Sequence, residues 1–109
     1  MKIIGRGWYT GTRNYDTGSG FAIAIKKEDR DRFFKKAWKS VVLRFEGFNE
    51  EVEVNIDKFS FWNKCPELYK KEIGIWFKEN NVIKWPKRKP PRVELEQIKE
   101  NFFNVKLLI

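Results

Sequence analysis

The chain predicts a mainly β domain, α+β in detail, in which about seven short strands close into a small open antiparallel barrel capped by two short helices. Three observations lead there. Apolar and polar residues alternate in short runs, as at Val41, Leu43 and Phe45 and again at Val52, Val54 and Ile56, the period of a half-buried strand. Clusters of glycine, asparagine and proline separate these runs, and such residues supply the backbone angles that turns require. Two stretches, 27–38 and 66–79, instead carry apolar residues at helical spacing.

A length of 109 residues suits a single compact domain over 1–109, large enough for its own core and too short for two. Aromatic residues make up 17% of the chain. Each brings much buried area per side chain, so the sequence reads as folded although 35% of it is charged.

The elements follow in order. An extended segment over 2–9 and the run Phe21-Ala22-Ile23-Ala24-Ile25 read as two strands, the second with large residues on one face and alanines on the other. Between them, residues 10–20 hold Gly11, Gly18 and Gly20 among Thr, Asn, Asp and Ser, which predicts a long polar loop and not a tight hairpin. The stretch 27–38 opens with Glu28, Asp29 and Asp31 and repeats Phe33, Phe34, Ala37 and Trp38, a short helix with acids at its positive end. Val41 to Phe45 and Val52 to Ile56 form a hairpin about Gly47-Phe48-Asn49. A second helix is predicted over 66–79, with Pro66 at its first position, where the missing N–H has no intrahelical partner. Its apolar stripe is Tyr69, Ile73, Trp76 and Phe77. Gly74 then permits close packing against a strand, and Asn80-Asn81 ends the helix in left-handed geometry. Val93 and Leu95, then Phe103, Val105 and Leu107, mark the last two strands.

The net charge of +8 draws the chain toward polyanions, since lysines and arginines that neutralise phosphates release condensed counterions. A solvated, heat-adapted surface is the bland alternative. The single Cys65 and the absence of His exclude an internal disulfide and a Cys/His zinc site. Cys65 itself reads as a small buried residue or a helix cap and not as a reactive thiol. The apolar runs are too short to span a bilayer and no leader pattern opens the chain, so a cytoplasmic setting and no membrane partner are expected.

The order Phe61-Trp62, Cys65-Pro66-Glu67-Leu68, Ile73-Gly74-Ile75-Trp76 and Trp85-Pro86-Lys87-Arg88-Lys89-Pro90-Pro91, followed by an alternating strand, resembles the DNA-binding pseudobarrel domains. These include the effector-binding domain of EcoRII-type restriction enzymes, the related domain of LlaJI-type systems and the plant B-three transcription factors. The resemblance is best over residues 58–109. It implies an open antiparallel seven-stranded pseudobarrel whose two arms grip the DNA major groove, the first over residues 9–19 and the second over residues 57–64.

Read against the residues, the first arm offers Tyr9, Thr10, Thr12, Arg13, Asn14, Tyr15, Thr17 and Ser19. Arg pairs bidentately with guanine and Asn with adenine, while hydroxyls and backbone N–H groups hold phosphates. The second arm offers Lys58, Ser60, Asn63 and Lys64, and Arg6 adds a phosphate contact. Phe59, Phe61 and Trp62 read as barrel filling and not as base-stacking residues. Lys87, Arg88 and Lys89 are peripheral phosphate candidates, in a turn where related domains place a glycine.

Catalysis finds no support in the sequence. No nucleophile sits beside a base, and the acids fall at helix starts or on strand exteriors, so no enzyme activity, cofactor or metal is expected. A magnesium nuclease would rest on carboxylate abundance alone. The expected partner is double-stranded DNA, with a separate nuclease or regulatory subunit as a further candidate. The alternatives are an RNA-binding barrel of the PUA type, stacking bases on Trp8, Tyr9 or Tyr15, and a protein-interaction module.

Overall fold

The structure, a computed structural model, describes residues 2–108. Seven strands and three helices succeed one another as β1 (Lys2–Tyr9), β2 (Phe21–Ala24), α1 (Lys27–Phe33), β3 (Ser40–Phe45), β4 (Glu51–Asn55), α2 (Phe59–Asn63), β5 (Glu67–Tyr69), α3 (Lys71–Glu79), β6 (Arg92–Lys99) and β7 (Phe102–Leu108). The strands form one sheet in the order β4-β3-β7-β6-β1-β2-β5. Its edges, β4 and β5, approach each other without a ladder between them, which makes a nearly closed barrel. No helix is long and apolar enough to cross a membrane among the described residues.

Alternation decides the inside. In β1, Ile3, Gly5 and Gly7 point inward and Lys2, Ile4, Arg6 and Trp8 outward; β4 sends Val52 and Val54 in and its glutamates out. The interior is filled by Phe21, Phe61, Trp76, Phe77 and Phe103 together with Ile23, Leu43, Ile56, Leu68 and Leu95. Burial of each such side chain stabilises the fold by about 1.5–3 kcal/mol. Trp76 keeps its polar atom satisfied by donating from Nε1 to the Glu46 carbonyl at 2.9 Å.

The barrel class predicted from the pattern is the one observed, with differences in detail, among them three short helices where two were expected. All ladders are antiparallel except β3 with β7, which run parallel. The first helix stops at Phe33 because Phe34 turns to extended geometry and inserts between Phe61 and Phe103, at ring centroid distances of 5.5 and 5.2 Å. Ala37, expected on its buried stripe, is exposed.

The predicted helix over 66–79 divides. Its first part is β5, whose Leu68 pairs with Ile23 of β2, and the ladder is extended by the Ile25 N–H donating to the Pro66 carbonyl at 3.0 Å. Pro66 fits there because β5 is an edge strand, where a missing donor leaves no partner wanting. Tyr69 therefore lies on a strand face, 37% exposed, and not on a helix stripe. The rest is α3, which ends as expected, with Asn81 in left-handed geometry at φ 59°.

Candidate nucleic-acid interface

The outer face of β1, β2 and β5 is built from two cross-strand rows. Strand register places Arg92, Arg6, Ala24 and Glu67 in one row and Trp8, Ala22 and Tyr69 in the next. The alanines lie low between long side chains. Trp8, 41% exposed, therefore stands over the floor of a shallow groove. The Arg6 guanidinium rests 5.2 Å from the Trp8 ring. A cleft of about 260 Å³ opens here, with Arg6, Trp8, Lys26, Lys27, Cys65 and Glu67 on its walls.

Two acids share this basic setting, the exposed Glu28 on the rim and the half-buried Glu67. Glu67 forms none of the side-chain hydrogen bonds or ion pairs among the described residues. Partial burial pushes its carboxyl above the ordinary carboxylate range, and the Lys58 charge opposes that shift. Cys65, expected inside, is exposed; Pro66 takes the inward position instead.

The second arm is not an open loop, since α2 occupies most of it. Phe61 is buried, and Arg30 of α1 reaches across to donate from Nη1 to the Phe61 carbonyl at 3.0 Å. Arg30 is itself buried and also donates to Asp31 at 2.9 Å. Lys58, Asn63 and Trp62 line a cleft with Lys36 and Phe59. Asn63 donates its side-chain amide to the Phe59 carbonyl at 3.2 Å, so one of its donors is already engaged. Ser60 and Lys64 are exposed. Phe59 is 71% exposed, against the expectation of barrel filling; Phe61 fills the interior and Trp62 is half-buried beside it.

The first arm is pinned down and not free. Thr10 N–H donates to the Gly20 carbonyl at 2.9 Å, Asn14 N–H to that of Ser19 at 2.9 Å, and Gly18 N–H to that of Asn14 at 3.0 Å. The Asn14 side-chain oxygen accepts from the backbone N–H groups of Asp16 and Thr17 at 2.9 and 3.0 Å. That acceptor is committed to the turn, which leaves Asn14 only its amide donors. The Thr17 hydroxyl likewise accepts from Ser19 N–H at 3.3 Å. Tyr15 packs against Phe21 at 5.7 Å and lies beneath the Lys84 ammonium at 5.1 Å. Thr12 and Arg13 stay exposed.

Arg13 belongs to a stack. Its guanidinium lies 3.9 Å from the Tyr9 ring, and Tyr9 in turn stacks on Trp85 at 4.4 Å with planes 4° apart. Such a cation over an aromatic face is worth about 0.5–1 kcal/mol at an exposed site. Trp85 anchors the basic turn, where Lys89 N–H closes onto the Pro86 carbonyl at 3.0 Å and Arg88 takes φ 66°. Lys87, Arg88 and Lys89 all face solvent. Arg88 shares a second cleft, of about 250 Å³, with Gly7, Trp8, Tyr9, Trp85 and Pro90. Trp8 borders both clefts.

Ion pairing is uneven over the molecule. The five pairs among the described residues are Lys2 and Lys106 with Glu94, Arg44 with Glu51, Lys39 with Asp57 and Arg30 with Asp31. None engages Arg6, Arg13, Lys26, Lys27, Lys58, Lys64, Arg88 or Arg92. The cations of the groove and its rims thus lack ion-pair partners, while Lys2 of β1 and Lys106 of β7 flank Glu94 of β6. No three His, Cys, Asp or Glu side chains among the described residues converge as metal ligands.

The same fold is found in the N-terminal domain of Helicobacter pylori LlaJI.R1. The likeness has a TM-score of 0.59 at 17% identity and covers 100% of this chain and 82% of that one. At this identity the agreement is one of fold. It accords with the resemblance to LlaJI-type domains drawn from the motif order. No protein-family model and no curated protein matches the chain.

Sequence reasoning missed Lys26, Lys27, Arg92 and Glu67 as groove residues. The alternation of β1 was enough to put Arg6 and Trp8 on one face, but nothing local said that β5 would lie across from them.

Proposed function

We propose that the chain is a non-catalytic double-stranded DNA-binding module that lays the outer face of β1, β2 and β5, with its flanking arms, into the major groove. The observation that carries this reading is the run of cations free of ion pairs around a groove floored by Ala24. Arg6, Arg92 and Trp8 project from adjacent strands roughly 4.8 Å apart, a scale suited to a major groove about 12 Å wide. Lys26, Lys27 and Lys64 supply phosphate contacts on one side and Arg13 and Arg88 on the other. The motif order shared with domains of restriction systems supports a place beside a separate nuclease or regulatory subunit.

The test is a salt-titrated competition among duplex DNA, single-stranded DNA and structured RNA. Neutralising about five phosphates would give a log–log salt slope near −4.5, and removing one contact by Arg6→Ala or Lys27→Ala would shallow it by roughly 1. Preference for RNA, with bases stacked on Trp8 and Tyr69, would replace duplex by RNA as the ligand. Association that survives high salt would point to a protein partner.

A further inference from the structure

Glu67 runs against the electrostatics of its own groove. Every phosphate drawn in by Arg6, Lys27 or Lys58 is repelled by its carboxylate, as it is by Glu28 on the rim of the same cleft, and no cation among the described residues forms an ion pair with Glu67. Half-buried on the edge strand β5, it is held in place by the register of Leu68 with Ile23 and of Glu67 with Ala24. A carboxylate so placed weakens non-specific binding and is relieved only by a ligand that brings a hydrogen-bond donor.

The exposed edges of base pairs in the major groove offer two such donors, the N4 amine of cytosine and the N6 amine of adenine. Adenine presents its N7 acceptor beside the amine, and a carboxylate would face that lone pair. Cytosine presents no acceptor there. Its partner guanine offers O6 and N7, the acceptors that an arginine fork engages. Arg6 stands two strands away from Glu67 in the same row, about 10 Å between Cα atoms, with only Ala24 between them. The Trp8 ring under its guanidinium restrains where that fork points.

We infer that Glu67 and Arg6 together specify one C·G base pair of the target duplex, Glu67 accepting from cytosine N4 and Arg6 donating to guanine O6 and N7. This rests on the duplex-binding reading above. Glu67 is then the specificity-determining acid of a face otherwise built for affinity. Its cost in phosphate attraction is what separates the cognate site from the bulk of DNA.

The experiment is selection from randomised duplex DNA with the parent, Glu67→Ala and Glu67→Gln proteins in parallel, followed by binding measurements on the enriched duplex and on one that carries N4-methylcytosine at the specified position. The parent enriches a motif with one near-invariant C·G pair and loses about tenfold or more in affinity on N4 methylation. Glu67→Ala binds random duplex more tightly than the parent, loses the preference at that position alone, and is indifferent to the methyl group. Glu67→Gln, which matches the parent's shape, admits adenine there, because an amide can both accept from N6 and donate to N7. If the parent enriches a motif but both variants enrich the same one with the same methyl sensitivity, the assignment of Glu67 is overturned and the duplex-binding reading stands. If the parent retains no duplex at all, both fall.

Discussion

Gly74 of α3 and Gly18 of the first arm meet backbone against backbone. A Cβ on Gly74 would overlap the Gly18 carbonyl oxygen and come within 2.5 Å of its Cα, and one on Gly18 would lie 2.6 Å from the Ile75 nitrogen. The arm is thereby fastened to the helix by the absence of two side chains. Neither neighbour is a flexible side-chain end that could swing aside.

Gly74→Ala is accordingly expected to destabilise the fold. Alanine gains about 1 kcal/mol over glycine in helix propensity, whereas overpacking a close contact costs about 1–3 kcal/mol, and a backbone-to-backbone overlap belongs at the upper end. Urea unfolding should show a net loss, and duplex affinity should fall with it as the first arm shifts. A gain in stability close to the propensity value would mean that the arm does not rest on α3.

Arg30 is expected to act on the second arm from a distance. Arg30→Met keeps the aliphatic stem and removes the donor, leaving the Phe61 carbonyl without its partner at a cost of about 1–3 kcal/mol. Hydrogen exchange should quicken at Trp62 and Lys64, whose N–H groups bond back to the carbonyls of Lys58 and Ser60. Unchanged exchange there would show that α2 holds itself.

Glu67 sets a pH dependence whose sign is opposite to that of a salt-bridged acid. Burial, partly countered by Lys58, raises its folded pKa above the ordinary carboxylate value of 4.5. In the window just above that value the folded state binds more proton than the unfolded one, so this contribution to stability is full below 4.5 and declines as pH rises through the folded pKa. Glu67→Gln should remove the decline and be more stable than the parent at neutral pH, with the two converging in acid. Duplex binding should act the same way: phosphates raise the pKa further, so affinity for random DNA rises from pH 7 toward 5 in the parent and stays flatter in Glu67→Gln. The charged groups that face Glu67 are Arg6 of β1, Lys26, Lys27 and Glu28 at the start of α1, and Lys58.

Arg88 occupies a left-handed position that glycine fills without penalty. Arg88→Gly recovers about 1–2 kcal/mol of backbone strain less about 0.5–1 kcal/mol of unfolded-chain entropy, so a gain near 1 kcal/mol is expected in thermal unfolding. Duplex affinity should drop severalfold and the salt slope become shallower by roughly 1 if the guanidinium touches a phosphate. A stabler protein with unchanged affinity would make the turn purely structural.

The features legible in the chain alone follow from local physics. Alternation at Val41 to Phe45 and Val52 to Ile56 required strands with one buried face, glycine clusters required turns, and the excess of lysine and arginine required a cationic surface. The end of α3 at Asn81 was readable for the same reason, because few residues tolerate its backbone angles. The barrel class could be reached from such signals because each depends on residues close together in the chain.

The tertiary structure decided the rest. Pro66-Glu67-Leu68 carries a helix-start signal as strong as any in the chain, yet the vacant edge of β2 offered its backbone a ladder, and long-range hydrogen bonding outweighed local preference. That one pairing moved Glu67 and Tyr69 onto the face shared with Arg6 and Trp8, while the helical turn of α2 put Phe59 outside and Phe61 inside. Which cations would lie unpaired around a common groove, and which acids would stand among them, depended on strand order and register across the sheet. Those are set by contacts between residues tens of positions apart, and no local pattern in the chain encodes them.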